Sequence, residues 1–283
     1  MKRRSFLEKL ECELTVAGKA PSTVHGYVAC VREFVAHAQM SASGLGREHI
    51  ARFLVHLSEE RRLAPSTVKV YVYAVRFLFA VTLGRPSCVA HLKAPRVTPP
   101  PAVVLSRDEV VQFFDGFQVR TYRTIACLLY GTGLRIGEAL ALTVSDIDAS
   151  RGVIVVTKTK VRRPRMARLS AALLSELRSY WRAVRPPGPL LFPGLDPRVP
   201  LNQATVQHAF KRAASSAGLS KEVTPHVLRH TYATHLLESG VDIHTVQLLL
   251  GHANLSATLR YLHVSTAHLA GRLAPLHPLL GER

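Results

Sequence analysis

Three consecutive prolines at residues 99–101 restrict the fold of this chain more than any other feature. They lie in the segment 94–104, which reads Ala-Pro-Arg-Val-Thr-Pro-Pro-Pro-Ala-Val-Val. Because proline lacks a backbone N–H and fixes φ, this run ends any helix and favours a stiff, extended segment. The chain has 283 residues, enough for two domains of roughly 100–200 residues each. The sequence therefore predicts a domain at 1–93, a linker at 94–104 and a second domain at 105–283.

Basic residues strongly outnumber acidic ones. Lysine and arginine total 37 against 19 aspartates and glutamates, which gives a formal net charge of +18. A field of that sign attracts polyanions, so nucleic acid is the favoured partner. No apolar run approaches the roughly 18 residues of a membrane span, and acidic residues follow the basic start where a signal peptide would have its apolar core. We therefore expect an intracellular protein with no membrane partner.

The first domain is predicted to be entirely helical. Two segments repeat apolar residues at i, i+3, i+4 and i+7, the spacing of one buried helix face. Both segments open with Ala-Pro-Ser-Thr-Val, at 20–24 and 64–68, and proline in a first turn marks a helix start. Two further helices are predicted at 6–16 and 48–59. The result is a compact four-helix module, and periodicity alone leaves open whether it is a structural bundle or one jaw of a DNA clamp.

The second domain is predicted to mix helices with one small sheet. Ser106 precedes Glu109 by three residues, which is the spacing of a helix capping box. The β-branched run 153–157 follows a glycine, and 165–169 can return as its hairpin partner. Later helices are predicted at 171–183, 203–217, 225–239 and 243–250. The predicted fold class is therefore mainly α with a small β-sheet (α+β).

Four segments of the second domain carry side chains suited to phosphate chemistry. They contain Arg135 with Glu138, a basic hairpin tip at 157–165, His226 with Arg229, and His252 with Tyr261. Singly each is weak: an Arg–Glu pair at i, i+3 is usually a surface pair, and basic hairpin tips are usually solvated or phosphate-facing. Their order and separations are more specific. Arg229 precedes His252 by 23 residues, and Tyr261 follows nine residues later.

This arrangement resembles that of the tyrosine recombinases, or phage-type integrases, and is most similar to their Xer-like and mobile-element branch. The resemblance covers nearly the whole chain. Residues 1–93 resemble the family's helical core-binding (SAM-like) domain, and residues 105–283 resemble its catalytic domain. It implies a site-specific recombinase that cuts and rejoins DNA through a 3′-phosphotyrosyl intermediate and a Holliday junction. Integration of a mobile element and Xer-like resolution both remain open as its role.

The resemblance also assigns roles to individual residues. Arg135 and Arg229 would hold the scissile phosphate, because a planar fork of donors matches phosphate oxygens. Tyr261 would be the nucleophile, and Glu138 would support the site without reacting. The phosphotyrosyl bond keeps the energy of the cut linkage, so the resemblance implies no ATP, no metal and no other cofactor.

The resemblance assigns proton transfer and phosphate binding to three further residues. Lys160 matches the general acid that protonates the departing 5′-oxygen, and Lys158 is its competitor because it lies on the same side of an extended strand. Lys160 is preferred because its spacing through the hairpin to Leu169 matches the family. His226 matches a proton handler near the nucleophile, and His252 a residue that hydrogen-bonds a phosphate oxygen.

The resemblance further implies a C-shaped clamp that closes on double-stranded DNA. The protein would be a monomer free in solution and a homotetramer on synapsed DNA, in the cytoplasm and at the nucleoid when active. The apolar segment after Tyr261 would dock on a neighbouring protomer, although it could instead fold back on its own domain. Two other classes share features: a catalytically silent DNA-binding protein and a type IB topoisomerase. The filled catalytic positions disfavour the first, and the core-binding-like domain and Gly251-His252 disfavour the second.

Overall fold

The computed structural model describes residues 3–41, 44–97, 102–157 and 165–251. The chain divides into two compact units, Met1–Pro100 and Pro101–Arg283. None of the helices in the described ranges is long and apolar enough to cross a membrane.

The described part of the first unit has four α-helices, as predicted. They are α1 (Arg3–Val16), α2 (Pro21–Ala38), α3 (Arg47–Val55) and α4 (Pro65–Phe77). Pro21 and Pro65 occupy the first positions of α2 and α4, where a missing N–H costs no helical hydrogen bond. α3 and α4 each continue through a five-residue π-helical turn, at His56–Glu60 and Leu78–Thr82, and a short 3₁₀ turn follows at Pro86–Cys88.

The core of this unit is apolar and rich in aromatic rings. Phe34, Phe53 and Phe79 are fully buried, and the Phe34 ring lies 5.2 Å from that of Phe53 and 6.2 Å from that of Phe79. Burying each such side chain stabilises the fold by about 1.5–3 kcal/mol. Tyr71 lies on the predicted buried stripe but is only partly buried, because its hydroxyl donates a hydrogen bond to Glu33 at 2.5 Å.

The second unit contains seven α-helices among its described residues, and the predicted ones begin and end within about two residues of the observed bounds. They are α5 (Arg107–Asp115), α6 (Arg120–Thr132), α7 (Ile136–Leu140), α8 (Ala171–Val184), α9 (Gln203–Ser216), α10 (Pro225–Glu238) and α11 (Ile243–Leu250). The predicted capping box opens α5, with the Ser106 hydroxyl accepting from the Glu109 N–H at 3.1 Å and the Glu109 carboxylate accepting from the Ser106 N–H at 2.7 Å. α6 packs against α8 and α10 through fully buried Ile125, Leu128 and Leu129.

The sheet has three antiparallel strands in the order β1 (Ile147–Asp148), β2 (Val153–Val156) and β3 (Arg165–Arg168). The β2–β3 pair was predicted, and β1 was not, because two residues are too few to show an alternating pattern. Val156 pairs with Arg165 at the end of the ladder nearest the hairpin tip. The tip itself, 158–164, lies outside the described residues. Ile154, Val156 and Ala167 are buried, so this face of the sheet joins the core of the unit.

Candidate active site

A glycine turn between α6 and α7 places Arg135. Gly133 ends α6 with φ of 63°, in the left-handed region that favours glycine. A Cβ at this position would lie 2.5 Å from the ring of Tyr232 and 2.8 Å from a methyl group of Leu250. No other residue fits both the conformation and the space, so the chain turns here and α7 begins directly after Arg135.

Glu138 holds Arg135 through its backbone and its side chain. Its carboxylate accepts from the Arg135 N–H at 2.9 Å and from the Arg135 guanidinium at 3.0 Å. The first bond is the backward half of a capping box, which explains the three-residue spacing. Glu138 is only 4% exposed, whereas the Arg135 side chain is 35% exposed. The pair is therefore not the ordinary surface pair that the spacing alone suggests.

The charge state of Glu138 follows from its neighbours. Burial raises the pKa of its carboxyl, but the hydrogen bond from the Arg135 backbone and the charge of Arg165 outweigh burial, so the pKa is lowered overall. Glu138 is therefore ionised at neutral pH. A buried carboxylate of this kind requires cationic partners, and it has two.

Arg229 faces inward from α10 and is 2% exposed. Its guanidinium donates to the carbonyl of Gly133 at 2.5 Å and to the carbonyl of Leu250 at 2.8 Å. Arg229 therefore connects the turn before Arg135 to the C-terminal end of α11. The carbonyls at a helix C-terminus lack helical partners and carry partial negative charge, so a buried guanidinium is well matched to them.

His226 lies in the first turn of α10, one turn before Arg229. Thr224 caps this helix, its hydroxyl accepting from the Val227 N–H at 3.2 Å. The His226 side chain is exposed, and its ring meets that of His230 edge to face at 4.7 Å. The two predicted residues of α10 thus have different surroundings, a buried guanidinium and an exposed imidazole.

Arg165, the first residue of β3, also belongs to this site, which the sequence interpretation missed. Its side chain is 12% exposed and donates to the Glu138 carboxylate at 2.8 Å and to the Leu249 carbonyl at 2.5 Å. The expectation that basic residues of this hairpin are solvated or phosphate-facing is wrong for Arg165, because its side chain is mostly withdrawn from solvent and ion-paired. Strand alternation carried the missed signal: Arg165 stands two residues before Ala167, which points into the core.

The end of α11 fits closely against Arg165. Gly251 ends this helix with φ of 63°, and a Cβ there would lie 2.6 Å from Cδ and 2.8 Å from Nε of Arg165. The last carbonyls of α11 are thus bonded by Arg165 and Arg229 together. This explains why glycine precedes His252 in the sequence.

Lys160, its competitor Lys158, His252 and Tyr261 lie outside the described residues. Among the described residues, Glu138 bonds Arg135 directly, and Arg229 bonds the carbonyl of Gly133, two residues before Arg135. Arg165 joins this group through its bond to Glu138. Two guanidinium groups, those of Arg135 and Arg165, pair with the single Glu138 carboxylate, and Arg229 lies beyond Gly133, so the group carries an excess of positive charge. Such a site suits a phosphate oxygen, which takes planar, bidentate donors.

Comparison with known proteins gives the family. Residues 104–268 match the phage integrase family, and residues 6–87 match its N-terminal SAM-like domain. The chain belongs to the phage integrase family of tyrosine recombinases. It is therefore a site-specific recombinase that acts on DNA, and the predicted architecture of a SAM-like domain followed by a catalytic domain is confirmed.

Individual relatives of this integrase-family recombinase cover almost all of its length. A putative integrase/recombinase, y4qK, of Sinorhizobium fredii is 38% identical over 276 residues, which are 96% of this chain and 88% of the relative. Tyrosine recombinase XerA of Thermococcus kodakarensis is 34% identical over 267 residues, 93% of this chain and 92% of the relative. A lambda integrase dimer bound to a core site shares the fold, with a TM-score of 0.73 at 22% identity over 92% of this chain and 95% of that one.

Proposed function

We propose that this recombinase cuts DNA by attack of Tyr261 on a phosphate that Arg135 and Arg229 hold. The observation that carries the proposal is the bonded group of arginines around Glu138. It keeps Arg135 at the start of α7 with part of its side chain exposed. Donors fixed before the reaction stabilise the charge of a pentacoordinate transition state without further reorganisation.

The chemical step balances without a co-reactant. The phenolate oxygen of Tyr261 bonds to phosphorus while the bond to the 5′-oxygen breaks, leaving a 3′-phosphotyrosyl linkage and a free 5′-hydroxyl. Lys160 donates the proton that the departing oxygen takes up. Attack by a 5′-hydroxyl from a second duplex reverses the step and joins new partners, so the exchange uses no ATP.

The remaining site residues have supporting roles in this proposal. His226, exposed at the start of α10, handles protons near the nucleophile. His252, the residue after Gly251, hydrogen-bonds a phosphate oxygen. Glu138 orients Arg135 through the bonds described above.

Binding of DNA engages both units in the proposal. Residues 1–93 and residues 105–283 both bind the duplex. Each phosphate that they neutralise releases counterions, so affinity falls steeply with salt. Recombination proceeds in a tetramer around two duplexes, with the segment after Tyr261 docked on a neighbouring protomer. We therefore expect the active protein at the bacterial nucleoid, where it serves either a mobile element or Xer-like resolution.

Nicked suicide duplexes test the proposed nucleophile. We expect the protein to form a covalent 3′ adduct with duplexes that span its native target, visible as a shifted band on a denaturing gel. Tyr261→Phe abolishes the adduct, whereas Tyr73→Phe, which removes an exposed hydroxyl from the first unit, retains it. An adduct that persists in Tyr261→Phe contradicts the proposal. Joined products from two duplexes separate recombination from relaxation by a topoisomerase.

The lysine assignment has its own test. Lys160→Ala is expected to slow cleavage by about 10²–10⁴-fold, because the 5′-oxygen then leaves without a proton. A 5′-thiol substrate, whose leaving group needs no proton, restores the rate. If the thiol substrate rescues Lys158→Ala instead, Lys158 is the general acid.

A further inference from the structure

Arg165 stands where three segments of the catalytic domain meet. It begins β3, directly after the hairpin that carries Lys160. Its guanidinium binds Glu138 on α7 and the carbonyl of Leu249 on α11. Its Cδ and Nε occupy the space that a side chain at Gly251 would need.

The charges around Glu138 show what Arg165 contributes. One buried carboxylate faces two guanidinium groups, and the two differ in exposure: 12% for Arg165 and 35% for Arg135. A buried anion attracts the nearest cation strongly when it has no other counter-ion, because little water screens the pair. With Arg165 absent, Glu138 would have only Arg135 to neutralise it. The carboxylate would then compete directly with a phosphate for the Arg135 guanidinium.

We propose that Arg165 is a positioning residue that neutralises Glu138, so that the positive charge of Arg135 stays available to the scissile phosphate. This inference rests on the proposed function, because it takes Arg135 as the phosphate ligand. The same side chain also anchors the first residue of β3 to the end of α11.

The test compares three variants in single-turnover cleavage of a suicide duplex at saturating protein. Arg165→Met keeps length and removes charge, and we expect cleavage to fall by about 10²-fold, the usual loss when one preorganised electrostatic contact is removed. Arg165→Lys keeps the charge and recovers most of the rate. The double variant Glu138→Gln with Arg165→Met removes the uncompensated carboxylate as well. It should therefore cut faster than Arg165→Met alone.

Recovery in the double variant distinguishes charge balance from a purely structural role. If Arg165 served only to pack or to anchor, a second substitution in the same network would leave the rate equal or lower it further. The matched control is Arg198→Met, since Arg198 also pairs with a carboxylate, that of Asp196, but on the exposed surface of the same unit. The control should cut at the rate of the parent protein.

Urea unfolding of the same proteins provides a readout that needs no DNA. The unfolding midpoint should fall in Arg165→Met, which leaves Arg135 alone to neutralise Glu138, and partly recover in the double variant. Parent-like cleavage by Arg165→Met, or no recovery of cleavage in the double variant, overturns the inference about Arg165. The proposed function still holds in that case if the parent protein forms the adduct and Tyr261→Phe does not. If the parent protein forms no adduct, the proposed function fails and the role of Arg165 toward phosphate fails with it. The unfolding midpoints then decide only whether Arg165 is the counter-ion of Glu138.

Discussion

The four-helix unit and the site at the end of α11 are stabilised by different interactions. The helical unit is held by apolar contacts such as those among Phe34, Phe53 and Phe79. The site is held by the buried guanidinium of Arg229, which bonds two carbonyls, and by the partly buried guanidinium of Arg165, which bonds the Glu138 carboxylate. Apolar burial is non-directional and tolerates adjustment, whereas buried ionic contacts depend on each partner being present. Substitutions in the two regions should therefore separate stability from catalysis.

The largest effect on stability is expected in the helical unit. Phe34→Ala removes a fully buried ring and should lower the free energy of unfolding by about 3–5 kcal/mol, measured by urea denaturation followed by circular dichroism. Tyr73→Ala, an exposed aromatic on α4, should change it by less than about 0.5 kcal/mol. At saturating DNA and low temperature, cleavage by folded Phe34→Ala should match the parent. A loss of the cleavage step itself would show that the helical unit takes part in catalysis.

The same contrast explains what could be predicted from the sequence. The helices of the first unit repeat their apolar residues within one element, so Val31, Phe34 and Val75 could be assigned to the core from spacing alone. The bounds of α10 and α11 were also predicted, because caps and periodicity are local. β1 was missed because two residues carry no pattern.

Motif spacing selected candidate residues but not their arrangement, and for a physical reason. It pointed to Arg135, Glu138 and Arg229, whereas their burial and partners depend on contacts between residues far apart in the chain. Arg229 bonds Gly133, which lies 96 residues before it. Arg165 resembled its basic neighbours in the hairpin, and only strand alternation separates it from them. Sequence spacing thus identified chemical groups, whereas the structure showed which of them neutralise each other.

A substitution of intermediate effect probes the close contact at the end of α11. Gly251→Ala places a side chain in the left-handed region, which costs about 1–2 kcal/mol of stability, and it also displaces Arg165. Gly218→Ala is a matched control, because Gly218 has φ of 66° and open space around it. Gly251→Ala should lose more stability in urea than Gly218→Ala, because it also displaces Arg165, and only Gly251→Ala should slow suicide-duplex cleavage. Equal cleavage by the two would show that the contact with Arg165 has no part in the reaction.

The substitution with the smallest expected effect on stability concerns a helix cap. It tests whether the sensitivity of catalysis differs between the two units or between local and distant interactions. Ser106 belongs to the catalytic domain, yet its capping box with Glu109 is local and was predicted from spacing. Ser106→Ala should lower the free energy of unfolding by about 1 kcal/mol, and Ser106→Gly by only a few tenths. Cleavage should be unchanged in both. A slower cleavage step would mean that even local contacts of the catalytic domain are coupled to its site. Unchanged cleavage would mean that catalysis depends on distant residues that balance a buried charge, and not on neighbouring residues that cap a helix.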